Sequence, residues 1–292
     1  MTAKLSVVIS TVGSPDRISR FSEVISHLRN LKPASPEIVI VWQGDEDCKD
    51  FDLEGVNIIK VPFFGLSMAR NFGASQTTGD YLMFLDDDTY PVGSDFFQRS
   101  LQKLKDKKWD FLVCNIRSEG KLKAAREISS DLEFSRRSIV GNFWEPALLI
   151  PKNIFHAIEF DESLGIGCVH GASEGLDFGL RLLNAGFRGG RAHNLHIDHP
   201  PLQLERTPNL QRAFFYSMGN GAVLAQHQLY LDYARQISRA MLKLGGGALL
   251  LRGHVARAAW VRVICLLLGP AVPRGRPRIL PTPAGPTASS AK

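Results

Sequence analysis

Three scarcities frame this 292-residue chain. Cysteine is sparse and unclustered: Cys48, Cys114, Cys168 and Cys265 stand far apart, with no C-x-x-C pair. That excludes a zinc knuckle or a disulfide framework and fits a reducing compartment. Long apolar runs are also missing. The most apolar stretch, 245–272, is interrupted by Arg252, Arg257 and Arg262. Its longest uncharged part, Val263 to Pro273, is about half the ~20 residues that a spanning helix needs. The stretch reads as an interfacial helix rather than a transmembrane one. The N-terminal MTAKLSVVIS enters a strand-like run almost at once, so no signal peptide is expected.

The third scarcity is of acid near the C-terminus. Residues 206–292 hold 12 Lys and Arg against the single acid Asp232, a net charge of +11. Residues 1–205 hold 23 basic and 28 acidic residues, a net of −5. An acidic body with a basic end suggests chemistry in the first and an anionic partner for the second. No nucleic-acid-reading motif accompanies the basic end, so nucleic acid is not an expected partner. No internal repeat is visible.

The first part of the chain alternates strand and helix patterns. LSVVIS (5–10), EIVIVW (37–42), VNIIKVP (56–62), DYLMFL (80–85) and WDFLVCNI (109–116) read as strands. Helices are expected over 17–31, 65–79, 94–108 with a Ser94 N-cap, and 173–187 with Gly186 as the C-cap. Residues 120–137 read as surface loop or helix, and 146–155 as a strand and turn. This order indicates an α/β fold with a mostly parallel central sheet flanked by helices. Ligands of such sheets lie beyond the carboxyl ends of the strands. Ser10, Thr11, Gln43, Asp45 and the triplet Asp86, Asp87 and Asp88 fall at that edge.

The triplet closes GDYLMFLDDDTYP (79–91), where a buried strand runs into three carboxylates. Their mutual repulsion calls for a positive partner. Strand alternation places Asp86 and Asp88 on one side. Oxygen ligation of Mg²⁺ or Mn²⁺ would relieve the repulsion and leave coordination positions for phosphate. A solvated acidic turn is the alternative for D-x-D taken by itself.

The surrounding sequence is more specific. FGLSMARNFGASQTTGDYLMFLDDDTYP resembles the nucleotide-binding half of family 2 glycosyltransferases with the GT-A fold, through Gly65, Ala69-Arg70-Asn71, Gly73, Gly79-Asp80 and Asp86 to Asp88. LSVVISTVGSPDRI resembles their first strand and nucleotide loop, and the likeness covers about residues 4–200. The resemblance implies that Asp88 holds the metal and that Asp86 contacts the ribose or base side. It places Thr11 under the nucleoside and Arg70 near the phosphates, with Gln43 and Asp87 in the same nucleotide-sugar-binding set. A surface salt bridge is the alternative use of Arg70.

FDESLGIGCVHGASEGLDFGLRLLNAGFRGGRAHNLHIDHPP (160–201) carries the acceptor side. Glu174 and Asp177 share a face at a helix start, where the helix dipole favours an anion. Inverting transfer needs a general base there for the acceptor hydroxyl. Relatives show Gly-Glu-Asp-x-Asp-Leu, and the acid often assigned as the base is Gly175 in this chain. The role therefore falls to Asp177 or Glu174, unless both only cap the helix and pair with Arg181. His199, before Pro200, matches a histidine that completes the metal shell in some relatives. Residues 163–173 are Gly-rich and suit a mobile loop at the acceptor face.

FFYSMGNGAVLAQH (214–227) resembles the segment after the catalytic domain in a bacterial branch that acts at the membrane on envelope or capsular polysaccharide. That implies a glycan or lipid-linked acceptor and peripheral attachment at the cytoplasmic face of the inner membrane. A helical cap over the core is the alternative. The expected organisation is a glycosyltransferase domain over 1–205, a basic helical extension over 206–269 and a disordered tail over 270–292, which holds six prolines. Two rival functions stay open: a non-catalytic sugar-nucleotide or glycan-binding protein, which Gly175 permits, and a sugar-1-phosphate nucleotidyltransferase. STVGSPDRISR has too few glycines to support the latter.

Overall fold

The computed structural model describes residues 3–13, 15–44, 54–117, 127–199 and 210–279. In chain order the elements are β1 (Leu5–Thr11), α1 (Pro15–Arg29), β2 (Glu37–Trp42), β3 (Val56–Lys60), β4 (Phe63–Phe64), α2 (Leu66–Ser75), β5 (Tyr81–Asp86), β6 (Tyr90–Pro91) and α3 (Phe96–Lys107). They continue with β7 (Phe111–Arg117), β8 (Leu132–Glu133), a 3-10 turn (Glu145–Ala147), β9 (Leu149–Pro151), α4 (Lys152–Ile158), α5 (Glu174–Asn184) and β10 (Gly189–Asp198). The C-terminal part holds α6 (Leu210–Gln226), α7 (Tyr230–Leu249), α8 (Gly253–Leu268) and β11 (Arg278–Ile279).

The central sheet has the order β3-β2-β1-β5-β9-β7-β10-β6, with β8 beside β10. Strands β3, β2, β1 and β5 are parallel. β9 runs antiparallel between β5 and β7, and β10 is parallel to β7. β7 and β10 therefore point the same way as β5, so six carboxyl ends share one edge. The chain steps outward from β1 to β3 and then crosses back to lay β5 on the other side of β1. That reversal opens the crevice in which sheets of this kind bind ligands. It sets Ser10 beside Asp86 in register.

The inner strands read as continuous apolar runs because helices cover both faces. Val7, Val8, Ile9, Val39, Ile40 and Phe84 are fully buried. α2 comes unusually close to this sheet. A Cβ on Gly73 would stand 2.5 Å from Val8 Cγ1 and 2.9 Å from Val41 Cγ2. Only glycine permits that approach, and the approach brings the polar face of α2 over the carboxyl ends.

Several expectations are corrected. β10 is a ten-residue strand where none is expected, because Arg191, His193, Asn194, His196 and Asp198 mask its pattern. The N-cap of α3 is Asp95 rather than Ser94. Residues 118–126, in the charged stretch, and Asp45 lie outside the described residues. The apolar stretch 245–272 is not one helix. α7 ends at Leu249, Leu251 takes a left-handed conformation and α8 starts at Gly253. Among the described residues no helix is long and apolar enough to cross a membrane.

The C-terminal helices are continuous with the core. Leu224 of α6 and Leu229 belong to the same buried cluster as Val8, Phe84 and Phe178. Tyr233 on α7 donates to the Leu266 carbonyl of α8 at 2.8 Å, and Ala240, Val263 and Leu266 pack between the two helices. The start of the expected disordered tail is also fixed. Arg274 Nη1 reaches Asp161 Oδ2 at 2.9 Å, Pro277 packs on Gly65, and β11 pairs antiparallel with β4. Apolar docking and one ion pair outweigh the high proline content there.

Leu224→Ala tests this continuity. It should lower the stability of the whole chain by about 2–5 kcal/mol in urea unfolding, the cost of emptying a buried leucine site. A main transition left unchanged would mean that α6 folds apart from the sheet.

Candidate active site

Asp86 ends β5, Asp88 follows two residues later, and His199 lies one residue beyond β10. A turn shapes the first two. The Asp86 backbone N–H donates to Thr89 Oγ1 at 3.0 Å, and the Thr89 hydroxyl donates to the Asp86 carbonyl at 3.1 Å. His199 N–H donates to the Arg117 carbonyl at 2.9 Å, extending the β7–β10 ladder past the strand end. Asp86, Asp88 and His199 each offer a ligand atom, and these atoms lie within 4.8 Å of one another. Two carboxylate oxygens and one imidazole nitrogen suit a divalent ion that keeps further positions for water or phosphate. Asp86, which the family resemblance assigns to the ribose or base side and strand alternation pairs with Asp88, joins Asp88 and His199 in this group.

Arg70 lies under the acids. It is 2% exposed, although a surface salt bridge was one reading of its sequence position. Ser67, Arg70 and Asn71 share one face of α2. Ser67 donates to the Leu164 carbonyl at 2.7 Å. Asn71 exchanges hydrogen bonds with the Phe160 backbone, at 2.9 and 3.0 Å. These bonds fix the helix against the 160–165 loop and aim Arg70 inward. Its Nη2 donates to Asp86 Oδ1 at 3.2 Å, its Nη1 lies 3.7 Å from Glu174 Oε1, and the guanidinium rests 5.7 Å from the centre of the Phe160 ring. Nε and Nη1 are buried without a hydrogen-bond partner among the described residues.

Thr11, Asp87 and Gln43 are buried beneath this layer. The Thr11 hydroxyl donates to Asp87 Oδ2 at 2.6 Å and accepts from Gly13 N–H at 3.0 Å. Gln43 Oε1 accepts from Gly65 N–H at 2.7 Å. The first pair clasps the ends of β1 and β5, and the second ties β2 to the start of α2.

The acids of α5 divide sharply. Asp177 is fully buried. Its Oδ2 accepts from Arg181 Nε at 2.7 Å, and its Oδ1 meets His227 Nε2 at 2.8 Å. Burial acts to raise this carboxyl, but the His227 hydrogen bond and the Arg181 charge outweigh it and hold it below the usual carboxylate range. Arg181 also donates to the Ile158 and Glu159 carbonyls. Asp177 is thus bound into a clasp joining α4, α5 and α6, and an acid held low is a poor proton acceptor. The structure favours the Arg181 pairing over the role of base for this residue.

Glu174 behaves differently. It is 8% exposed and faces Arg70. Burial raises its carboxyl, Arg70 opposes the rise, and Asp86 reinforces it. A further acid, which the sequence reading missed, stands beside it. Glu145, in the 3-10 turn before β9, is pushed up to about 7 by burial and by the Glu174 carboxylate. The 164–173 loop beside these acids is anchored. Ser173 Oγ donates to Asn220 Oδ1 at 2.5 Å, Gly171 N–H to the Phe215 carbonyl at 3.1 Å, and His170 Nε2 to the Gly269 carbonyl at 3.0 Å.

The sheet order, with acids lining the crevice at its switch point, fits the GT-A fold. Residues 6–157 match the model of glycosyl transferase family 2. The chain belongs to that family, and it spans less than two thirds of the solved structures that it resembles. No curated protein sequence matches it. The Staphylococcus aureus TarS 1–349 crystal structure is similar at 14% identity with a TM-score of 0.53, over 66% of this chain and 60% of that one. TarS 1–349 in complex with UDP-GlcNAc is similar at 15% identity with a TM-score of 0.58, over 77% and 66%. A further S. aureus TarS crystal structure is similar at 15% identity with a TM-score of 0.52, over 66% of this chain and 36% of that one.

Asp177→Asn should cost about 3–5 kcal/mol at neutral pH by breaking a buried charge pair. A depressed folded pKa contributes stability that is complete above the unfolded value and is lost as pH falls through the lower folded one. The urea-stability gap between wild type and variant should be constant above about pH 5 and shrink below it. A gap that is absent, or flat throughout the acid range, would contradict the clasp.

Proposed function

We propose that this chain moves a sugar, with inversion, from a nucleotide-diphosphate donor to a hydroxyl of a glycan or lipid-linked acceptor. The observation that carries the reading is the convergence of Asp86, Asp88 and His199 above a buried guanidinium with unused donors. Asp88 and His199, with Asp86, would hold Mg²⁺ or Mn²⁺, which when bound neutralises charge on the diphosphate. Arg70 directs Asp86 through its Nη2 hydrogen bond, and its remaining N–H groups suit an oxygen of the diphosphate. The Thr11–Asp87 and Gln43–Gly65 bonds hold the floor on which the nucleoside lies. That TarS has been crystallised with UDP-GlcNAc supports a nucleotide sugar in this fold.

Transfer needs an acid able to take the acceptor proton, and the pair of raised acids at Glu174 and Glu145 meets that need better than Asp177. The rival non-catalytic reading rested on Gly175 alone, and Glu145 beside it weakens that argument.

The C-terminal part braces the acceptor side and offers a contact for an anionic membrane. Leu249, Leu250 and Leu251, at the tip of the α7–α8 hairpin, are 84%, 63% and 93% exposed. Lys243, Arg252 and Arg257 lie within about two helical turns of that tip. Apolar side chains ringed by cations suit the headgroup boundary of an anionic bilayer. This supports peripheral attachment at the cytoplasmic face of the inner membrane and an envelope or capsular glycan product.

Release of nucleoside diphosphate from UDP-, GDP- and dTDP-sugars should require Mn²⁺ or Mg²⁺ and fall by about 100-fold or more in Asp88→Ala, the scale of losing a charge-stabilising group. Binding without turnover, or pyrophosphorolysis in place of transfer, would overturn the reading. The full chain should float with phosphatidylglycerol vesicles and not with phosphatidylcholine ones. Leu250→Glu/Leu251→Glu should abolish flotation, and flotation equal to wild type would end the membrane assignment.

A further inference from the structure

Position 175 has no space for a side chain. A Cβ there would stand 1.6 Å from Glu145 Oε1, 2.2 Å from its Cδ and 2.5 Å from its Cγ. The volume just outside Gly175 is therefore filled by a carboxyl group delivered from the 3-10 turn ahead of β9. From this juxtaposition we propose that Glu145 is the proton acceptor of the transfer reaction, supplying from another element the carboxylate that position 175 does not carry. The proposal rests on the glycosyl-transfer reading above and names a residue for its unassigned step.

Surroundings separate the three acids. Asp177 is sealed and bound to Arg181 and His227, and Glu174 is 8% exposed against Arg70. Glu145 is only partly buried as a residue, and its carboxyl lies against Gly175 at the start of α5. Charge separates them further. Glu174 lies against Arg70, and repulsion between its carboxyl and that of Glu145 strengthens the hold of Glu145 on a proton. Asp86 acts in the same direction and Arg70 against it. A carboxyl poised near neutrality combines a useful ionised fraction with the greatest pull on a proton. The unused Nε and Nη1 donors of Arg70 mark the adjoining space as one that a ligand completes.

The step balances without a further reactant. The acceptor oxygen bonds to the anomeric carbon as its proton passes to the Glu145 carboxylate. The bond from the anomeric carbon to the diphosphate breaks, and its electron pair leaves on the diphosphate oxygen.

A four-variant cycle in the full chain tests this, with wild type alongside: E145Q, E145A, G175D and E145A/G175D. Turnover is read as nucleoside diphosphate release from the donor that wild type uses, and donor Kd is measured in parallel. E145Q and E145A should lower kcat by about 100-fold or more, the usual weight of a general base, with Kd changed by less than about 3-fold. E145A/G175D, which moves the acid to position 175, should recover at least about 10-fold over E145A. E145Q turning over at the wild-type rate, or a folded double variant no faster than E145A, would overturn the proposal. The steric half needs no turnover. G175D should lower Tm and E145A/G175D should restore it, and a G175D chain as stable as wild type would remove the premise. If wild type releases no diphosphate while this thermal cycle holds, the transfer reading fails and the shared space stands. An active wild type with an indifferent E145Q condemns the Glu145 assignment alone.

Discussion

Arg70 is the charge on which the crevice depends. The fold gathers Asp86, Asp88, Glu174 and Glu145 at one sheet edge, where burial makes like charges costly. A guanidinium 2% exposed and within reach of both Asp86 and Glu174 offsets part of that cost. It is itself a buried ion, tolerable only because acids surround it. The group that steadies the acids is therefore steadied by them, and among the described residues its Nε and Nη1 make no hydrogen bond.

What aims Arg70 is packing. Gly73 lets α2 settle onto β1 and β2, and Ser67 and Asn71 fasten the same helix face to the 160–165 loop. That loop is held in turn by the C-terminal part. His170 bonds to the end of α8, and Asp161 to Arg274. His227, at the end of α6, closes on Asp177. The basic end is thus both a surface with its own charge and a brace for the acceptor side. A perturbation of the hairpin has a route to the loop beside Glu174 through these contacts.

Much of the donor side was legible in the sequence because each signal is local. An apolar run buried on both faces ends in Asp86, and the Ala69-Arg70-Asn71 sequence lies on the helix just before it. The acceptor side was harder because its contacts are distant in the chain. The Arg181 partner of Asp177 is visible at i+4, but His227, just past α6 and 50 residues on, is not, and its bond to Asp177 weighs against Asp177 as a base. β10 was hidden by its polar residues, several of which bond to neighbouring elements rather than to solvent: Arg191 to Asn142, and His193 to Asp131. Glu145 had one signal, an acid missing at Gly175 in an otherwise matching motif. Spacing along a chain does not reveal which remote side chain fills such a gap.

The central claim is that the carboxylates at the end of β5 grip a divalent cation together with a diphosphate. Electron paramagnetic resonance of Mn²⁺ titrated into the full chain, with and without UDP or GDP, reads this directly. The account predicts a bound-Mn²⁺ signal that tightens when the nucleoside diphosphate is present and disappears in Asp88→Ala and His199→Ala. Mn²⁺ binding in those variants equal to wild type, or binding indifferent to the diphosphate, would contradict it.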